Sequence, residues 1–568
     1  MVGYVASRTT RDPQLQPMTT ETQGLAPLRD RYAGQNILLT GATGLLAKTV
    51  LEKILRDLPS VEKVHLLVRP RRSVDAAERV DWEIIRSTVF DRLRNEWQNN
   101  FHSRLSSKIE TISGDLARRH FGLDDAAYEK LAGEVTMIIN CGATCSFREQ
   151  FDRAIQINAL GARRILKLAQ DAGNIPLVHV STAYVYETAY EVSPERVMPD
   201  GHTLRSLQNG QSAQFSLDEE IDRMLARCAA LRGAAFLERP DDSPGEDGQA
   251  VPVTEEGLDR WRQNLANRAT IEYGVEVARG HGWRDAYQFT KSLAEQLLVR
   301  DRGSVPLSIV RPSVIEGTLS EPVPGWFDRV RMFHPIAVEY ARGNVLEFAG
   351  YEDTKIDLVP CDLVTNLVLA SVPPPHDATH IELYQIASAQ RNPITLGEMS
   401  TFAREAYRRD GRKLAPPGWK DRRFKWTPPA VFEKKIERAR RRLELLRDLY
   451  SWLGLKRRAR RAAVRLRGIR RLAEFTGVYG FYAERSPEFE TDNSRALLDA
   501  LAPVDRDRFS WDIDAVVWRD YFLNAWVPGL MRVAGDLRAA VPVKGATATS
   551  APSQTTDRTA DERRQVSA

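Results

Sequence analysis

A short strand, a glycine turn and a helix at residues 36–48 constrain the fold of this chain more than any other segment. The residues read N-I-L-L-T-G-A-T-G-L-L-A-K, and apolar residues continue at helical spacing through residues 45–56. Gly41 permits a turn that a Cβ atom would obstruct. Gly44 lets the backbone approach an anion held by the N-terminus of the helix. The segment therefore predicts a phosphate-binding turn.

The residues after the turn favour a dinucleotide site over an ordinary strand-to-helix turn. The spacing G-x-x-G-x-x-A departs from the usual fingerprint, but a second apolar strand at 64–68 lies at the distance that a β-α-β unit requires. Arg69 ends that strand where an acidic residue would bind a ribose 2′-hydroxyl, and Arg71 and Arg72 follow it. Because arginine fits a 2′-phosphate, the sequence predicts NADPH rather than NADH. A solvated loop is the alternative for at least one of the three arginines.

Length and composition predict two domains with tails. The chain has 568 residues, of which 42% are hydrophobic, so it is too long for one ordinary domain and can form a sizeable core. We expect disordered tails at 1–33 and 541–568, an α/β domain at 34–400 and a smaller, mainly helical domain at 416–540. Four cysteines fit no secreted disulfide framework, and no apolar run approaches the ~18 residues of a membrane span. A cytoplasmic location is the simpler prediction.

Three further strands predict the edge at which a ligand binds. The strand at 109–112 precedes Asp115, which would bind an adenine amino group unless it only caps a helix. The strand at 137–140 runs into C-G-A-T, whose small residues would let a cofactor cross the sheet edge. Another strand delivers Ser181 and Thr182 to the same edge. We therefore expect an α/β fold with a Rossmann-type doubly wound parallel sheet.

The segment Y-Q-F-T-K places Tyr287 and Lys291 four residues apart, on one face of a helix. A nearby ammonium group stabilises a phenolate, so we expect Lys291 to lower the pKa of Tyr287. The tyrosine could then pass a proton to a developing alkoxide, with Thr182 donating to the same oxygen. Such spacing arises by chance in many helices, and it gains meaning here from the Rossmann turn and the Ser-Thr strand that precede it.

Several longer stretches together resemble the fatty acyl-CoA reductase branch, the male-sterility-like proteins, of the extended short-chain dehydrogenase/reductase family. The resemblance runs from about Gly34 to Pro528. A looser match, F-E-T-D-N-S-R-A-L-L-D-A-L with W-R-D-Y, resembles the small C-terminal domain of that branch. The more specific stretches are T-G-A-T-G-L-L-A-K-T-V-L-E-K-I-L, H-L-L-V-R-P, H-V-S-T-A-Y-V-Y, Y-Q-F-T-K-S-L-A-E-Q, V-R-P-S-V-I-E-G-T-L-S-E-P-V-P-G-W and D-L-V-P-C-D-L-V-T-N.

The resemblance implies roles for individual residues. Tyr287 would be the catalytic acid, and Lys291 its activator and ribose clamp. Thr182 would be the hydroxyl partner, and its neighbour Ser181 is the rival for that role. No metal site is expected. The residues expected to bind the cofactor are Thr40, Gly41, Thr43, Gly44, Leu45, Arg69, Arg72, Asp115, Leu116, Cys141, Gly142, Tyr287, Lys291, Pro312 and Ser313.

Two regions would serve a long substrate. A large insertion at about 190–280, with predicted helices at 217–231 and 257–281, would form a lid over the active site, and a solvated elaboration is the equal alternative. After the sixth strand, P-V-P-G-W predicts a rigid turn. Trp326 and Phe327 lie on the ligand side of the sheet and would line an acyl tunnel, with capping of the core as the alternative.

Residues 432–472 carry sixteen Lys or Arg residues and four acidic residues, with leucines and Trp452 between them. We expect an amphipathic basic helix or helix pair that suits an anionic membrane surface or the phosphates of a thioester carrier. A solvated charged face on a packed helix is the equal alternative. Nucleic acid is disfavoured because no recognised binding fold surrounds the stretch. The predicted location is therefore cytoplasmic, with peripheral membrane association through this stretch.

The resemblance implies NADPH-dependent reduction of a long-chain acyl-CoA to a fatty alcohol through the aldehyde. Three alternatives stay open. Reduction could stop at the aldehyde or use an acyl-carrier-protein thioester. The chain could instead be a dehydrogenase or epimerase acting on a sugar nucleotide or steroid, or a non-catalytic NADP-binding protein associated with a membrane.

Overall fold

The computed structural model describes residues 25–71, 73–186, 191–213, 215–238, 254–375, 377–410 and 421–539. Arg72, a predicted cofactor ligand, lies outside these ranges, as do residues 1–24 and 540–568 of the predicted tails. No helix in the described ranges is both long enough and apolar enough to cross a bilayer.

Residues 25–33 belong to the folded body, so the predicted boundary of the N-terminal tail is wrong. Leu28 and Tyr32 are fully buried. The amide of Leu28 donates to Asp505 Oδ2 at 2.8 Å, and the hydroxyl of Tyr32 donates to the carbonyl of Leu369 at 2.9 Å. These two apolar side chains stabilise the segment, although the polar residues before them suggest a tail.

One seven-stranded parallel sheet forms the centre of the molecule, in the order β3-β2-β1-β4-β5-β6-β7. The strand order reverses between β1 and β4, and open α/β sheets bind ligands at such a switch point. The strands are β1 Asn36–Thr40, β2 Lys63–Val68, β3 Ile109–Ser113, β4 Met137–Asn140, β5 Leu177–Val180, β6 Leu307–Pro312 and β7 Ile381–Ile386.

Helices cover both faces of this sheet, as the apolar strands require. Alternate residues of β1 enter different cores: Ile37 and Leu39 pack in one hydrophobic cluster and Leu38 in another. The helices up to β7 are α1 Leu28–Arg31, α2 Leu45–Asp57, α3 Ala76–Arg79, α4 Asp91–Trp97, α5 Phe101–Lys108, α6 Asp125–Glu134, α7 Phe151–Ala154, α8 Leu160–Asp171, α9 Leu204–Gln208, α10 Leu217–Leu237, α11 Glu255–Gly280, α12 Ala286–Asp301, α13 His334–Ala341 and α14 Cys361–Ala370.

The remainder of the described chain is mainly helical, as predicted. Short π-helical segments join α7 to α8 at Ile155–Ala159 and α19 to α20 at Phe522–Trp526, and another, Val80–Ile85, follows α3. The helices after β7 are α15 Leu396–Asp410, α16 Pro429–Trp452, α17 Lys456–Tyr479, α18 Asp492–Asp499, α19 Trp518–Tyr521 and α20 Val527–Ala539. The doubly wound α/β fold with a helical C-terminal region is therefore confirmed.

The C-terminal helices pack on the loop that follows β6. A Cβ on Gly325 would lie 1.9 Å from the carbonyl oxygen of Ala525, so only glycine permits this approach. The indole of Trp526 donates to Glu316 Oε2 at 2.7 Å, and the hydroxyl of Tyr521 donates to the carbonyl of Gly317 at 2.6 Å.

Four pairs of short strands in the described ranges lie outside the main sheet: Val192–Ser193 with Glu488–Phe489, Val314–Glu316 with Leu358–Pro360, Glu347–Ala349 with Lys425–Thr427, and Lys355–Ile356 with Ile394–Thr395.

The described part of the insertion supports α12. Its two long helices, α10 and α11, match the helices predicted there. Leu217 and Met224 of α10 share a buried cluster with Phe289 and Leu293 of α12. Within the described ranges, no residue of 191–280 lines the cleft discussed below. The described helices thus pack against α12 rather than cover the cleft.

Candidate active site

The turn between β1 and α2 has the geometry of a phosphate cradle. Gly41 has φ +71°, and a Cβ there would lie 2.7 Å from the carbonyl oxygen of Cys141. The amide of Gly44 donates to the carbonyl of Gly41 at 2.8 Å and brings α2 directly behind the turn. No side chain caps the N-terminus of α2. The first residues of α2 line the cleft, so their uncapped amides fit an anion such as a pyrophosphate.

A buried polar network supports the turn from beneath, and sequence analysis did not identify it. Thr40 Oγ1 donates to Asn140 Oδ1 at 2.6 Å and accepts from the amide of Gly142 at 2.9 Å. Asn140 Nδ2 lies 2.9 Å from His179 Nδ1. Burial holds the pKa of His179 well below 6.5, so its neutral ring accepts this bond. Thr40, predicted to bind the cofactor, is fully buried, does not line the cleft and positions Gly142.

Arg69 directly follows β2 and lines the edge of the cleft. Rossmann-type sites bind the 2′ position of the adenosine ribose at this place. Its Nη1 is 3.8 Å from Asp115 Oδ2. Asp115 Oδ1 also accepts from the amide of Ala117 at 3.0 Å, so this carboxylate holds its own loop rather than the start of a helix. Arg79 and Glu83, absent from the predicted set, line the same edge and pair at 2.7 Å. The edge is therefore rich in arginine, with both carboxylates engaged.

The structure brings the predicted catalytic residues together at the carboxyl edge of β5. The side chains of Tyr287 and Thr182 are hydrogen-bonded, and the thiol of Cys145, which sequence analysis did not place here, also bonds to Tyr287. Lys291 is almost fully buried, and its Nζ donates to the carbonyl of Val180 at 2.7 Å. Ser181 Oγ is buried and has no hydrogen-bond partner among the described residues. The geometry favours Thr182 over Ser181 as the partner of Tyr287.

The expected lowering of the Tyr287 pKa is wrong. Burial is the largest influence and raises the pKa of Tyr287 well above 10, while the hydrogen bond with Thr182 acts in the opposite direction. Lys291 directs its ammonium group to a backbone carbonyl, and burial lowers the pKa of Lys291. Tyr287 therefore stays protonated at neutral pH, which is the form that donates a proton.

Every predicted site residue within the described ranges, except Thr40, lines one cleft of about 750 Å³. Ser181 and Thr182 lie in its wall beside Pro312 and Ser313, as predicted. The other predicted residues that line it are Gly41, Thr43, Gly44, Leu45, Arg69, Asp115, Leu116, Cys141, Gly142, Tyr287 and Lys291.

A narrow apolar cavity of about 90 Å³ meets this cleft. Tyr184, Val314, Met332, Tyr479 and Tyr482 line both spaces and mark their junction. One face of α15 and the aromatic residues of neighbouring elements form the rest of the cavity wall, which includes Phe333, Tyr340, Phe348, Leu396, Met399, Ala403, Tyr407, Phe424 and Trp426.

The residues predicted to form an acyl tunnel divide between two roles. Phe327 lines the polar cleft. Trp326 is buried, and its indole donates to Thr88 Oγ1 at 3.0 Å. Trp326 lines neither space, so it caps the core, and the apolar cavity lies among other residues than those the sequence suggested.

Comparison with known proteins identifies the family. A family model described as male sterility protein matches residues 39–368, and a second model with the same description matches residues 446–534. The chain belongs to the male sterility protein family. An alcohol-forming fatty acyl-CoA reductase of Simmondsia chinensis is 28% identical over 87% of this chain and 96% of its own length. Fatty acyl-CoA reductase 1 of Arabidopsis thaliana is 31% identical over 65% of this chain and 69% of its own length.

A solved structure confirms the fold of this family member. The reductase domain of a nonribosomal peptide synthetase from Mycobacterium tuberculosis superimposes with a TM-score of 0.51, at 16% identity, over 90% of this chain and 95% of that domain. The first family model is named for NAD binding, which supports a nicotinamide cofactor.

Proposed function

We propose that the protein reduces a long-chain fatty acyl-CoA to a fatty alcohol, through the aldehyde, with NADPH. The observation that carries the proposal is the junction of the two spaces. The cleft that holds Thr182, Tyr287 and Lys291 shares five lining residues with a cavity lined almost entirely by apolar side chains. A thioester at the junction would meet the hydroxyl groups while its acyl chain left water. The names of the two relatives agree with this chemistry.

The chain's own residues would hold and protonate the reacting oxygen. Bound NADPH would supply the hydride, with its pyrophosphate on the turn at Gly41 and Gly44. The carbonyl oxygen gains negative charge when hydride adds, and the hydroxyls of Thr182 and Tyr287 would donate to it. Tyr287 would give up its proton to that oxygen. The ammonium group of Lys291, which bonds to the carbonyl of Val180, would stabilise the remaining phenolate through its charge rather than through a direct hydrogen bond.

The hemithioacetal formed in this way would break its C–S bond and lose CoA as the thiol, with the proton of its own hydroxyl, to leave the aldehyde. The same hydroxyl groups would then hold the aldehyde oxygen while a second NADPH and a further proton reduce it to the alcohol.

We expect purified protein to oxidise two NADPH per palmitoyl-CoA and to release free CoA and hexadecanol, identified by gas chromatography. Hexadecanal as the final product would limit the activity to the first reduction. Turnover of an acyl-carrier-protein thioester in place of the CoA ester would contradict the substrate proposed here. NADPH oxidation with a sugar nucleotide or steroid, and none with acyl thioesters, would contradict the reaction.

Replacing Arg69 by glutamine is expected to raise the KM for NADPH about tenfold, because a hydrogen bond to a charged group contributes about 1.5 kcal/mol or more. The KM for NADH should change little, since NADH lacks the 2′-phosphate. Arg86→Gln is the matched control, because Arg86 is exposed and pairs with Asp81 at 2.7 Å. A wild-type KM lower for NADH than for NADPH would refute the cofactor proposal.

Peripheral membrane association is part of the proposed function. A long-chain acyl-CoA and its alcohol product both partition into membranes, so an acyl-CoA reductase gains from being close to one. The basic stretch at 432–472 provides the surface for this association.

A further inference from the structure

Helices α16 and α17 form a hairpin whose base is packed and whose tip is exposed. At the base, the ring of Phe348 lies 5.8 Å from that of Phe432 and 6.3 Å from that of Phe475. At the tip, every residue from 451 to 458 is exposed. Since α16 has 24 residues, the tip lies about 36 Å along the helix from its base. The hairpin therefore presents its turn to the surroundings.

The tip carries large apolar side chains that the described part of the chain leaves uncovered. Trp452 is 82% exposed and Leu453 is 50% exposed. On α16, Leu445 and Leu449 are 72% and 47% exposed, and their spacing places them on the same helix face as Trp452. A helix of a soluble domain normally buries such a stripe, and an exposed apolar patch usually marks an interaction site.

The start of α17, which forms one side of the tip, is rich in basic residues. Helix α17 begins K-R-R-A-R-R-A-A-V-R-L-R, and within the described ranges none of these seven basic side chains forms an ion pair with a carboxylate. Three acids of α16 are already paired with hairpin arginines: Glu437 with Arg441, Glu444 with Arg470, and Asp448 with Arg447. Glu474, near the end of α17, pairs with Arg148 outside the hairpin. The tip therefore keeps its positive charge.

We propose that this tip binds an anionic membrane surface, with Trp452 and Leu453 among the lipid acyl chains and the cations of α17 at the lipid phosphates. Apolar side chains alone would suit a protein partner, and cations alone would suit a nucleic acid. Both together are what stable peripheral binding to anionic lipid requires. Each cation near such a surface strengthens binding by about fivefold.

The hairpin also connects the membrane to the site. Tyr479, the last residue of α17, lines both the cleft and the apolar cavity. A hairpin held at the bilayer would keep the mouth of the acyl site at a fixed distance from the membrane that contains the substrate. Both the membrane binding and this link rest on the membrane association proposed above. Vesicle binding requires no acyl-CoA turnover, so its failure would leave the proposed reduction intact.

The test is co-sedimentation of the full chain with vesicles of phosphatidylcholine alone or mixed with phosphatidylserine, at low and moderate salt. We expect binding to the anionic vesicles that weakens with salt. Replacing both Trp452 and Leu453 by serine should reduce binding at least about tenfold. Replacing Arg457, Arg458, Arg460 and Arg461 by glutamine should reduce it by at least the same factor.

Matched controls remove similar groups from other elements. Trp82 and Val504 are 64% and 60% exposed, and their double replacement by serine should leave vesicle binding unchanged. The four-arginine control replaces exposed arginines outside the hairpin, Arg104, Arg119, Arg227 and Arg260. Turnover of a soluble short-chain acyl-CoA, or an unchanged melting temperature, shows that each variant is folded.

Three results would overturn the proposal. The first is a lack of binding to anionic vesicles at low salt. The second is unchanged binding by the Trp452 and Leu453 variant. The third is the loss of RNA binding or of acidic-protein binding in the hairpin variants while vesicle binding persists, because the tip would then serve another class of partner.

Discussion

Replacing Tyr287 by phenylalanine should lower kcat with palmitoyl-CoA by about 10³-fold, within the range that a positioned general acid contributes. The substitution removes the hydroxyl that bonds to Thr182 and keeps the ring, which packs edge-on to Phe147 at 6.1 Å. Because the pyrophosphate turn is untouched, NADPH should still bind with nearly wild-type affinity. Single-turnover kinetics and fluorescence titration with NADPH would measure the two effects separately.

A matched control distinguishes loss of the acid from general damage. Tyr128 lies on α6 and does not line the cleft, and its hydroxyl donates to Asp171 Oδ2 at 2.9 Å. Tyr128→Phe removes the same atom and should keep nearly full turnover. Full activity of the Tyr287 variant would refute the assignment of the acid. Equal losses in both variants would attribute the effect to the fold.

The cleft at the carboxyl edge of the sheet could be predicted because parallel strands all end at one edge. Three site residues that are distant in sequence each directly follow an apolar strand: Gly41 follows β1, Cys141 follows β4 and Ser181 follows β5. Once those strands are recognised, their carboxyl ends must meet. Tyr287 then joins them because α12 packs beside β5.

The polar network beneath the turn does have a signal in the sequence. Asn140 and His179 are each a polar residue at or next to the end of an apolar strand, and β4 pairs with β5 so that these two residues are in register. A polar pair in register within a buried sheet must be hydrogen-bonded to each other or to a third group. The strand pattern and the pairing of β4 with β5 are therefore enough to predict their contact.

Burial and distant packing could not be predicted in the same way. The spacing of Tyr287 and Lys291 identifies the pair, but the direction of the Tyr287 pKa depends on how much water remains around it. The apolar cavity depends on contacts such as the pairing of Glu347–Ala349 with Lys425–Thr427, which no local period encodes. The predicted tunnel at Trp326 failed for this reason.

The apolar cavity leads to the second large expected effect. Ala403 lies on the face of α15 that includes Leu396, Met399 and Tyr407, and it lines the cavity but not the cleft. Ala403→Phe would fill space in a cavity of only about 90 Å³ and would exclude the end of a long acyl chain. Excluding about three methylene groups costs ~2.4 kcal/mol, so kcat/KM for palmitoyl-CoA should fall roughly sixtyfold.

A short-chain acyl-CoA provides the internal control for this substitution. Its chain does not extend past the junction at Tyr184 and Tyr482, so its kcat/KM should stay within about threefold of wild type if the Ala403 variant is folded. Thr401, an exposed neighbour on the same helix, offers the matched variant Thr401→Phe, which should change neither substrate. Equal losses for both chain lengths would mean that the acyl chain does not occupy this cavity, because only a chain that reaches Ala403 can distinguish the two substrates.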